Sequence, residues 1–136
     1  TGKAFAISIL DIDHFKHIND QHGHLAGDHI LKEFARVIGG HLRPYDLLGR
    51  FGGEEFIVVL QNTDSVQANQ IVERILSAIR AQSFEYERQL IRFTFSAGVS
   101  NSCEESDGAN SVESLIGKAD ARLYEAKRTG RNKVVG

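Results

Sequence analysis

Residues 4–12 read AFAISILDI, a nearly unbroken apolar run that is rich in β-branched side chains. Such a run predicts a central strand that is buried on both faces of a sheet. The run leads into two carboxylates, Asp11 and Asp13, which are costly to bury in an apolar core. We therefore expect both carboxylates to emerge at the carboxyl-terminal edge of this strand.

Apolar residues at helical spacing follow the strand within residues 30–42, 68–79 and 112–123. Cap and breaker residues mark the expected helix ends. The expected elements are a short helix or turn over residues 14–22, a helix opened by Gly27-Asp28, a helix capped by Asp64 or Ser65, and a last helix that runs from a capping arrangement of Asn110 with Glu113 to Gly130.

Two short strand patterns surround a glycine-rich turn. Residues 46–51 contain LLGRF, residues 56–60 read FIVVL, and GGEE lies between them at residues 52–55. We expect a β-hairpin whose glycines supply positive φ. Residues 90–99, LIRFTFSAGV, predict another strand, and residues 100–110 have loop composition. The resulting order β-α-α-β-β-α-β-α indicates an α/β sandwich with helices packed on a mixed sheet.

Length and composition restrict the class of protein. The 136 residues fit a single domain, residues 1–136, without an internal boundary. The formal net charge of −2 disfavours nonspecific nucleic-acid binding, and no apolar run approaches the roughly 18 residues of a membrane span. The single cysteine, Cys103, has no base partner that would mark it as a nucleophile. Because the sequence contains no Met, we expect it to be a piece of a longer protein.

Acidic residues from two distant parts of the chain are expected to meet at one rim of the sheet. Asp11 and Asp13 end the first strand, and Glu54-Glu55 lie at the hairpin turn. Clustered carboxylates repel one another unless a cation neutralises them, and Mg²⁺ is typically held by one or two carboxylates plus substrate phosphates. The constellation therefore indicates metal-assisted phosphoryl or nucleotidyl transfer. The alternative is a set of separate solvated acids at turns.

Several blocks, in order along nearly the whole chain, resemble the GGDEF domain of diguanylate cyclases. The blocks are DIDHFKHIND at 11–20, GHLAGD at 23–28, RFGGEEF at 50–56, ADARLYEAK at 119–127 and GRNK at 130–133. The resemblance implies a palm-like, ferredoxin-related α+β fold, with a mixed sheet and flanking helices, close to nucleotide cyclases. It also implies an enzyme that condenses two GTP molecules into cyclic di-GMP and releases two pyrophosphates.

The resemblance implies roles for the acids of the rim. Asp11, the backbone carbonyl of Ile12 and Glu54 would hold Mg²⁺, with Mn²⁺ as the alternative ion. Glu54 would also help to deprotonate the attacking 3′-hydroxyl, and Glu55 would assist at the metal site.

Basic residues and glycines would receive the phosphates. By resemblance, Lys16, Lys127 and Arg131 face the triphosphate, where cations counter the negative charge that builds on phosphate oxygens. Gly52 and Gly53 would let the backbone approach the substrate where a Cβ would intrude.

Guanine selection is the role that the resemblance gives to Asp28 and Asn19. Guanine offers two adjacent donors, N1–H and the exocyclic amine, and one carboxylate accepts from both. Phe15 and His24 are expected to line the same substrate site. Asp28 also fits a plainer role, as a first-turn carboxylate favoured by the helix dipole.

A second nucleotide site is suggested by Arg43-Pro-Tyr-Asp46, which lies where the family places its RxxD inhibitory site. Arg74 falls where a supporting arginine is often found. We expect feedback inhibition by cyclic di-GMP through these residues. As a bare pattern, RxxD is also consistent with an ordinary surface ion pair.

The resemblance also implies partners. Since one site holds one GTP, catalysis requires a homodimer, and an N-terminal regulatory region would control it in the parent protein. The family's segment before the first strand is missing here, because only Thr1-Gly2-Lys3 precede Ala4. We expect a cytoplasmic domain without nucleic-acid or direct membrane contact, whether or not the parent is anchored in a membrane.

Two other interpretations stay open. One is a catalytically inactive GGDEF module that senses GTP or cyclic di-GMP, although such modules usually lose the acids that Glu54 and Glu55 retain here. The other is a different palm-type nucleotidyl transferase or nucleotide cyclase. Five of the six histidines lie between His14 and His29, but no cysteine accompanies them, which disfavours a zinc site.

Overall fold

The computed structural model describes residues 4–104 and 111–136. The secondary structure elements, in chain order, are β1 Phe5–Ile12, α1 Phe15–His22, α2 His24–Gly40, β2 Leu47–Arg50, β3 Glu55–Gln61, α3 Ser65–Arg80, β4 Phe84–Tyr86, β5 Gln89–Ile91, β6 Phe95–Asn101, a 3-10 turn Ser102–Glu104, α4 Val112–Arg128 and β7 Val134–Val135. Each helix and main strand predicted from the sequence is present, and β4 and β7 are additional.

β1 lies at the centre of a five-stranded sheet with the order β2-β3-β1-β6-β7. It pairs antiparallel with β3 on one side and with β6 on the other, and β7 adds to β6 in parallel. Every residue of β1 after Phe5 is buried, as predicted for a strand covered on both faces. The prediction of an α+β fold with a mixed sheet and flanking helices is confirmed.

The side chains of β1 alternate between two cores, because successive residues of a strand point to opposite faces. Leu10 and Ile12 enter the larger core, which α2 and α3 cover and in which Phe34 is fully buried. Ile7 and Ile9 enter a smaller core against Leu115, Ala119 and Leu123 of α4. By the same alternation, Asp11 lies on the face that α4 covers.

Two helix boundaries differ from the prediction. α2 begins at His24 rather than at Gly27, because Gly23, at φ 92, already ends α1 and lets the chain turn directly into the next helix. α4 is capped by Ser111, whose hydroxyl accepts the Ser114 N–H, and not by the predicted Asn110–Glu113 arrangement. Asn110 itself lies outside the described residues.

Other helix ends agree with the sequence. Asp64 caps α3 and forms a reciprocal capping box with Gln67. Gly130, at φ 122, follows the end of α4, and the next residue, Arg131, donates its N–H to the Ala126 carbonyl (2.9 Å). This hydrogen bond between residues five apart is typical of the Schellman motif, which satisfies carbonyls of the last helical turn.

The predicted strand over residues 90–99 is interrupted. β5 ends at Ile91, β6 begins at Phe95, and β5 pairs with β4 in a separate two-stranded hairpin. Its turn is made by Glu87 and Arg88, both at positive φ. These residue types seldom adopt that conformation, which explains why no turn was predicted between residues 84 and 91.

The predicted positive φ at Gly52 and Gly53 is also wrong, because neither glycine lies in the left-handed region. The hairpin of β2 and β3 itself is confirmed. Within residues 4–104 and 111–136, every helix falls short of the length and apolar content that crossing a membrane requires.

Gly98 in β6 provides a test of the packing between the sheet and α4. A Cβ at this position would lie 2.0 Å from the Ala119 carbonyl oxygen and 2.4 Å from the Leu123 nitrogen, both of them backbone atoms. We expect Gly98→Ala to lower the free energy of unfolding by about 3 kcal/mol or more, because α4 must move outward.

Gly117→Ala in α4 is the matched control, because a Cβ there meets nothing within 4 Å. It should raise the free energy of unfolding by up to about 1 kcal/mol through helix propensity. Urea denaturation measures both variants, and equal stability of the two would contradict the close approach of α4.

Candidate active site

The pairing of β1 with β3 brings three acidic residues to one rim of the sheet. Asp11 stands opposite Glu55 in the antiparallel register. The Ile12 N–H donates to the carbonyl of Glu54 (3.4 Å), which ties the glycine turn to the end of β1. The structure therefore brings Asp11 together with Glu54 and Glu55, which lie more than forty residues later in the sequence. We call these three side chains the acidic rim.

A single lysine from α4 reaches the acidic rim. Lys127 Nζ lies 2.8 Å from Asp11 Oδ2, and the side chains of the two residues are 30% and 5% exposed. The other carboxylate oxygen, Asp11 Oδ1, is buried without a hydrogen-bond partner among the described residues. One oxygen of the most buried acid is thus neutralised and the other is left unsatisfied.

The remaining acids of the rim resist ionisation. Burial, followed by the charge of Asp11, raises the pKa of Glu54 to about 6, and Lys127 offsets only part of this effect. Burial and Asp11 also raise the pKa of Glu55, with a further contribution from Asp120 of α4. The rim thus holds more negative charge than Lys127 can balance, which is the condition under which a bound cation is stabilising.

Asp13 does not belong to the acidic rim, which corrects the prediction that both first-strand acids converge there. It is buried and accepts hydrogen bonds from the hydroxyls of Thr94 and Ser96 (2.6 Å each) and from the Asn132 N–H (2.9 Å). Asp13 therefore fastens the turn after α4 to the end of β1. Because Arg131 precedes Asn132 in that turn, these hydrogen bonds also hold Arg131 near the end of β1.

A second cluster lies where α1 meets α2. Asn19 Oδ1 is buried without a partner among the described residues. It rests against Gly27, where a Cβ would lie only 1.8 Å from Asn19 Oδ1 and 3.2 Å from the ring of Phe15. Gly27 is thus needed for this close approach, a role that the sequence prediction of a helix start missed. Asp28 and His24 are exposed on the same first turns of α2.

The glycine turn is braced by an arginine that the sequence analysis did not single out. Arg50, at the end of β2, donates to the carbonyls of Gly52 (3.2 Å) and Gly53. A Cβ at Gly52 would lie 2.9 Å from Glu55 Oε1, whereas a Cβ at Gly53 would meet nothing within 4 Å. Gly52 therefore makes room for the rim acid, and Gly53 leaves the outside of the turn open.

Arg43 and Asp46 bind each other rather than standing apart. Arg43 donates through Nε (2.9 Å) and Nη2 (3.0 Å) to the two Asp46 oxygens, and also to Thr63 Oγ1 (2.6 Å). Burial alone would raise the pKa of Asp46, but hydrogen bonds from Arg43 and Gln61 outweigh it and hold this pKa below its usual value. The motif is a closed bidentate pair, and the Arg43 guanidinium also stacks on Tyr45 (4.8 Å).

The remaining predicted residues lie on exposed surfaces. Lys16 is exposed on α1, and Arg131 is exposed in the turn after α4. Arg74 is exposed on α3, where it lines a shallow cavity of about 700 Å³ with Glu73. Among residues 4–104 and 111–136, no group of three or more His, Cys, Asp or Glu side chains is arranged to hold a metal ion. The predicted metal site, with two carboxylates and the Ile12 carbonyl, does not require a third such side chain.

A family model described as diguanylate cyclase, GGDEF domain, matches residues 1–133. The chain belongs to the GGDEF domain family. Diguanylate cyclase A of Treponema denticola is 42% identical over 132 residues, which cover 97% of this chain and 35% of that protein. The recognition of the family from its sequence blocks is therefore confirmed.

Solved GGDEF domains share the fold. The GGDEF domain of DgcB from Caulobacter crescentus, in complex with c-di-GMP, has a TM-score of 0.89 at 32% identity, with 97% of this chain and 77% of that chain covered. The active GGEEF domain of a diguanylate cyclase from Vibrio cholerae has a TM-score of 0.88 at 34% identity, with 98% and 82% covered. By contrast, the chain spans only 35%, 19% and 30% of three curated relatives.

The raised pKa of Glu54 predicts how stability depends on pH without metal. Its folded-state pKa of about 6 lies above the unfolded value of 4.5, so folding favours the protonated acid. Stability from this group is present below the unfolded pKa and is lost as the pH rises through about 6. We expect Glu54→Gln to be more stable than the parent chain above about pH 7, and the difference to vanish near about pH 4.

Urea denaturation in EDTA at a series of pH values measures this difference. Glu73→Gln, on the exposed face of α3, is the matched control and should show no such trend. A Glu54→Gln difference that is independent of pH would show that Glu54 ionises normally in the folded domain.

Proposed function

We propose that this domain condenses two GTP molecules into cyclic di-GMP with release of two pyrophosphates. The observation that supports this most strongly is the acidic rim, in which Asp11, Glu54 and Glu55 crowd beside an open glycine turn and, within the described residues, Lys127 alone forms an ion pair with them. Asp11 is buried, and Glu54 and Glu55 are partly buried. This excess of negative charge suits a site that binds a metal–triphosphate complex.

The residues of the rim fit a divalent cation, and GGDEF cyclases are generally metal-dependent. Asp11 Oδ1 is buried and has no hydrogen-bond partner among the described residues, and burial followed by the charge of Asp11 raises the pKa of Glu54, an effect that a cation would offset. Asp11, Glu54 and the carbonyl of Ile12 would hold Mg²⁺, or Mn²⁺ in its place. The ion would supply charge neutralisation at the phosphate oxygens.

Proton removal from the attacking 3′-hydroxyl falls to Glu54. Glu54 stands at the rim beside Asp11, and a general base must lie within hydrogen-bond reach of the proton that it removes. Glu55 lies beside it and would share the charge of the site. Lys127, Arg131 and Lys16 would bind the triphosphate, and Lys127 would then divide its interaction between Asp11 and a phosphate oxygen.

Guanine would be read at the junction of α1 and α2. Asn19 Oδ1 lies buried with no donor among residues 4–104 and 111–136, so a ligand N–H can satisfy it. Asp28, exposed near the start of α2, would accept hydrogen bonds from the guanine N1–H and exocyclic amine. Adenine presents an acceptor at N1 and would be rejected. Phe15 and His24 would flank the base.

A single domain has one such site, so joining two nucleotides requires two domains that face each other. We infer a catalytic homodimer, with an N-terminal regulatory region that controls its formation in the parent protein. The partial coverage of the curated relatives is consistent with further regions in the parent. The rate should then rise more steeply than linearly with concentration in the dilute range.

Product identification tests the proposed reaction. A fusion that forces the domain to dimerise, incubated with GTP and Mg²⁺, should yield cyclic di-GMP by mass spectrometry. We expect Glu54→Gln to lower the rate by at least about 100-fold, because it removes the base and a metal ligand together. ATP should give no cyclic product.

Glu73→Gln in the same fusion is the control and should retain full activity. Binding of GTP without any product in the parent fusion would instead support an inactive sensing module. Turnover of ATP as fast as GTP would support a different nucleotide cyclase and would contradict the role of Asp28.

We also propose that cyclic di-GMP inhibits the enzyme through Arg43, Asp46 and Arg74. Arg43 already stacks on Tyr45, and its planar guanidinium suits a guanine face or a phosphate. Asp46 is held ionised by Arg43 and Gln61, so it is ready to accept from a guanine edge if Arg43 turns outward. Binding of cyclic di-GMP would therefore cost the free energy of breaking the Arg43–Asp46 pair.

Arg43→Lys tests the inhibitory site, because lysine keeps the charge but cannot form the bidentate pair. We expect the concentration of cyclic di-GMP that halves the rate to rise at least about tenfold. Arg36→Lys, in an exposed pair with Glu33, is the control. Unchanged product inhibition in a folded Arg43→Lys enzyme would place the inhibitory site elsewhere.

A further inference from the structure

A cavity of about 720 Å³ lies between α1, the β4–β5 hairpin and the end of α3, away from the acidic rim. Its volume falls within the roughly 300–1,000 Å³ of small-molecule sites. None of the residues predicted for the GTP site or the inhibitory site lines it. The cavity is therefore a separate feature that the proposed reaction leaves unexplained.

Two arginines line this cavity from different elements. Arg80, at the end of α3, donates to the Asn132 side chain (2.8 Å) and carbonyl (2.9 Å). Arg92, between β5 and β6, donates one N–H to the Arg80 carbonyl (2.8 Å). Each guanidinium has five N–H donors, so both retain donors beyond these bonds. Neither forms a salt bridge with a carboxylate anywhere in the described ranges.

Three histidines at α1 line the same cavity. They are His14, which precedes the first turn of the helix, and His17 and His22 within it. Among the described residues of the lining, Asp13 is the one carboxylate, and its oxygens accept from Thr94, Ser96 and Asn132. The lining thus carries an excess of positive and protonatable groups in a chain whose net charge is −2.

Beneath these polar groups the cavity is apolar. Ile18, Ile91 and Phe93 are almost completely buried at its wall, and Leu90 is 69% exposed at its edge. Phe15 and Asn19 lie elsewhere on α1, against Gly27 of α2. α1 therefore separates the guanine-reading residues from this cavity.

We propose that this cavity binds a small phosphate monoester that carries an apolar or aromatic group of nucleoside size. Arg80 and Arg92 would bind the phosphate through their remaining donors, since guanidinium groups match phosphate geometry and charge. The imidazoles of His14 and His17 would donate further hydrogen bonds. The apolar part would cover Leu90, which is 69% exposed at the edge of the cavity, and would rest against the wall that Ile91 and Phe93 form.

Isothermal titration calorimetry with AMP tests this proposal, because adenine should not satisfy the guanine-reading residues. We expect one AMP per chain, no detectable binding of adenosine, and weaker binding of inorganic phosphate than of AMP. The double variant Arg92→Gln, His17→Gln should bind AMP at least about tenfold more weakly, since it removes two charged or polar donors. Arg80 is left intact because it supports Asn132.

Arg36→Gln, on α2 outside the cavity, is the control and should bind AMP like the parent. In the unaltered protein, AMP should shift the NMR signals of residues 13–22 and 90–94, a readout that does not depend on how the double variant folds. The proposal is overturned if AMP does not bind, if the double variant binds equally well, or if Asp28→Asn alone abolishes AMP binding.

Discussion

Repulsion among Asp11, Glu54 and Glu55 is the constraint around which this domain is built. The antiparallel pairing of β1 and β3 forces these acids together, and α4 supplies one lysine that neutralises one oxygen. Burial, followed by the charge of Asp11, raises the pKa of Glu54, and Asp11 Oδ1 has no hydrogen-bond partner in the part of the chain that the structure describes. A folded protein tolerates such a cluster at a functional site, because binding of the ligand brings the positive charge that offsets the carboxylates.

The rest of the fold holds this cluster in place from several sides. α4 approaches the sheet closely over Gly98, which fixes the position of Lys127 at its far end. Asp13, at the end of β1, fastens the turn that carries Arg131. Arg50 braces the glycine turn. Each of these contacts is made by a residue outside the rim, so the geometry of the rim depends on the packing of the whole domain.

Much of this could be predicted from the sequence because the physical signals were local. The apolar run that ends in Asp11 predicts a buried central strand, and the hairpin flanking GGEE predicts where the other acids lie. Asp64 with its capping box and Gly130 mark helix ends whose hydrogen bonds span at most five residues. These features need no knowledge of distant contacts.

Other features depend on tertiary contacts that leave little trace in the sequence. Asp13, unlike Asp11, accepts hydrogen bonds from Thr94, Ser96 and Asn132, which are 81 to 119 residues away. Gly27 is required by Asn19 on the neighbouring helix and not by its own backbone conformation. The β4–β5 hairpin turns on Glu87 and Arg88, which are poor turn formers. Residues of that hairpin line the cavity beside α1, so the cavity could not be predicted from the sequence either.

We propose that the acidic rim holds a divalent cation in place of protons. Calorimetric titration of the domain with Mg²⁺, in buffers of different ionisation enthalpy, tests this most directly. Since the pKa of Glu54 is about 6, binding should release a substantial fraction of a proton near that pH, and the release should disappear at about pH 8. Asp11→Asn should abolish the binding. Mg²⁺ binding without proton release near pH 6, or binding that survives in Asp11→Asn, would contradict this account of the site.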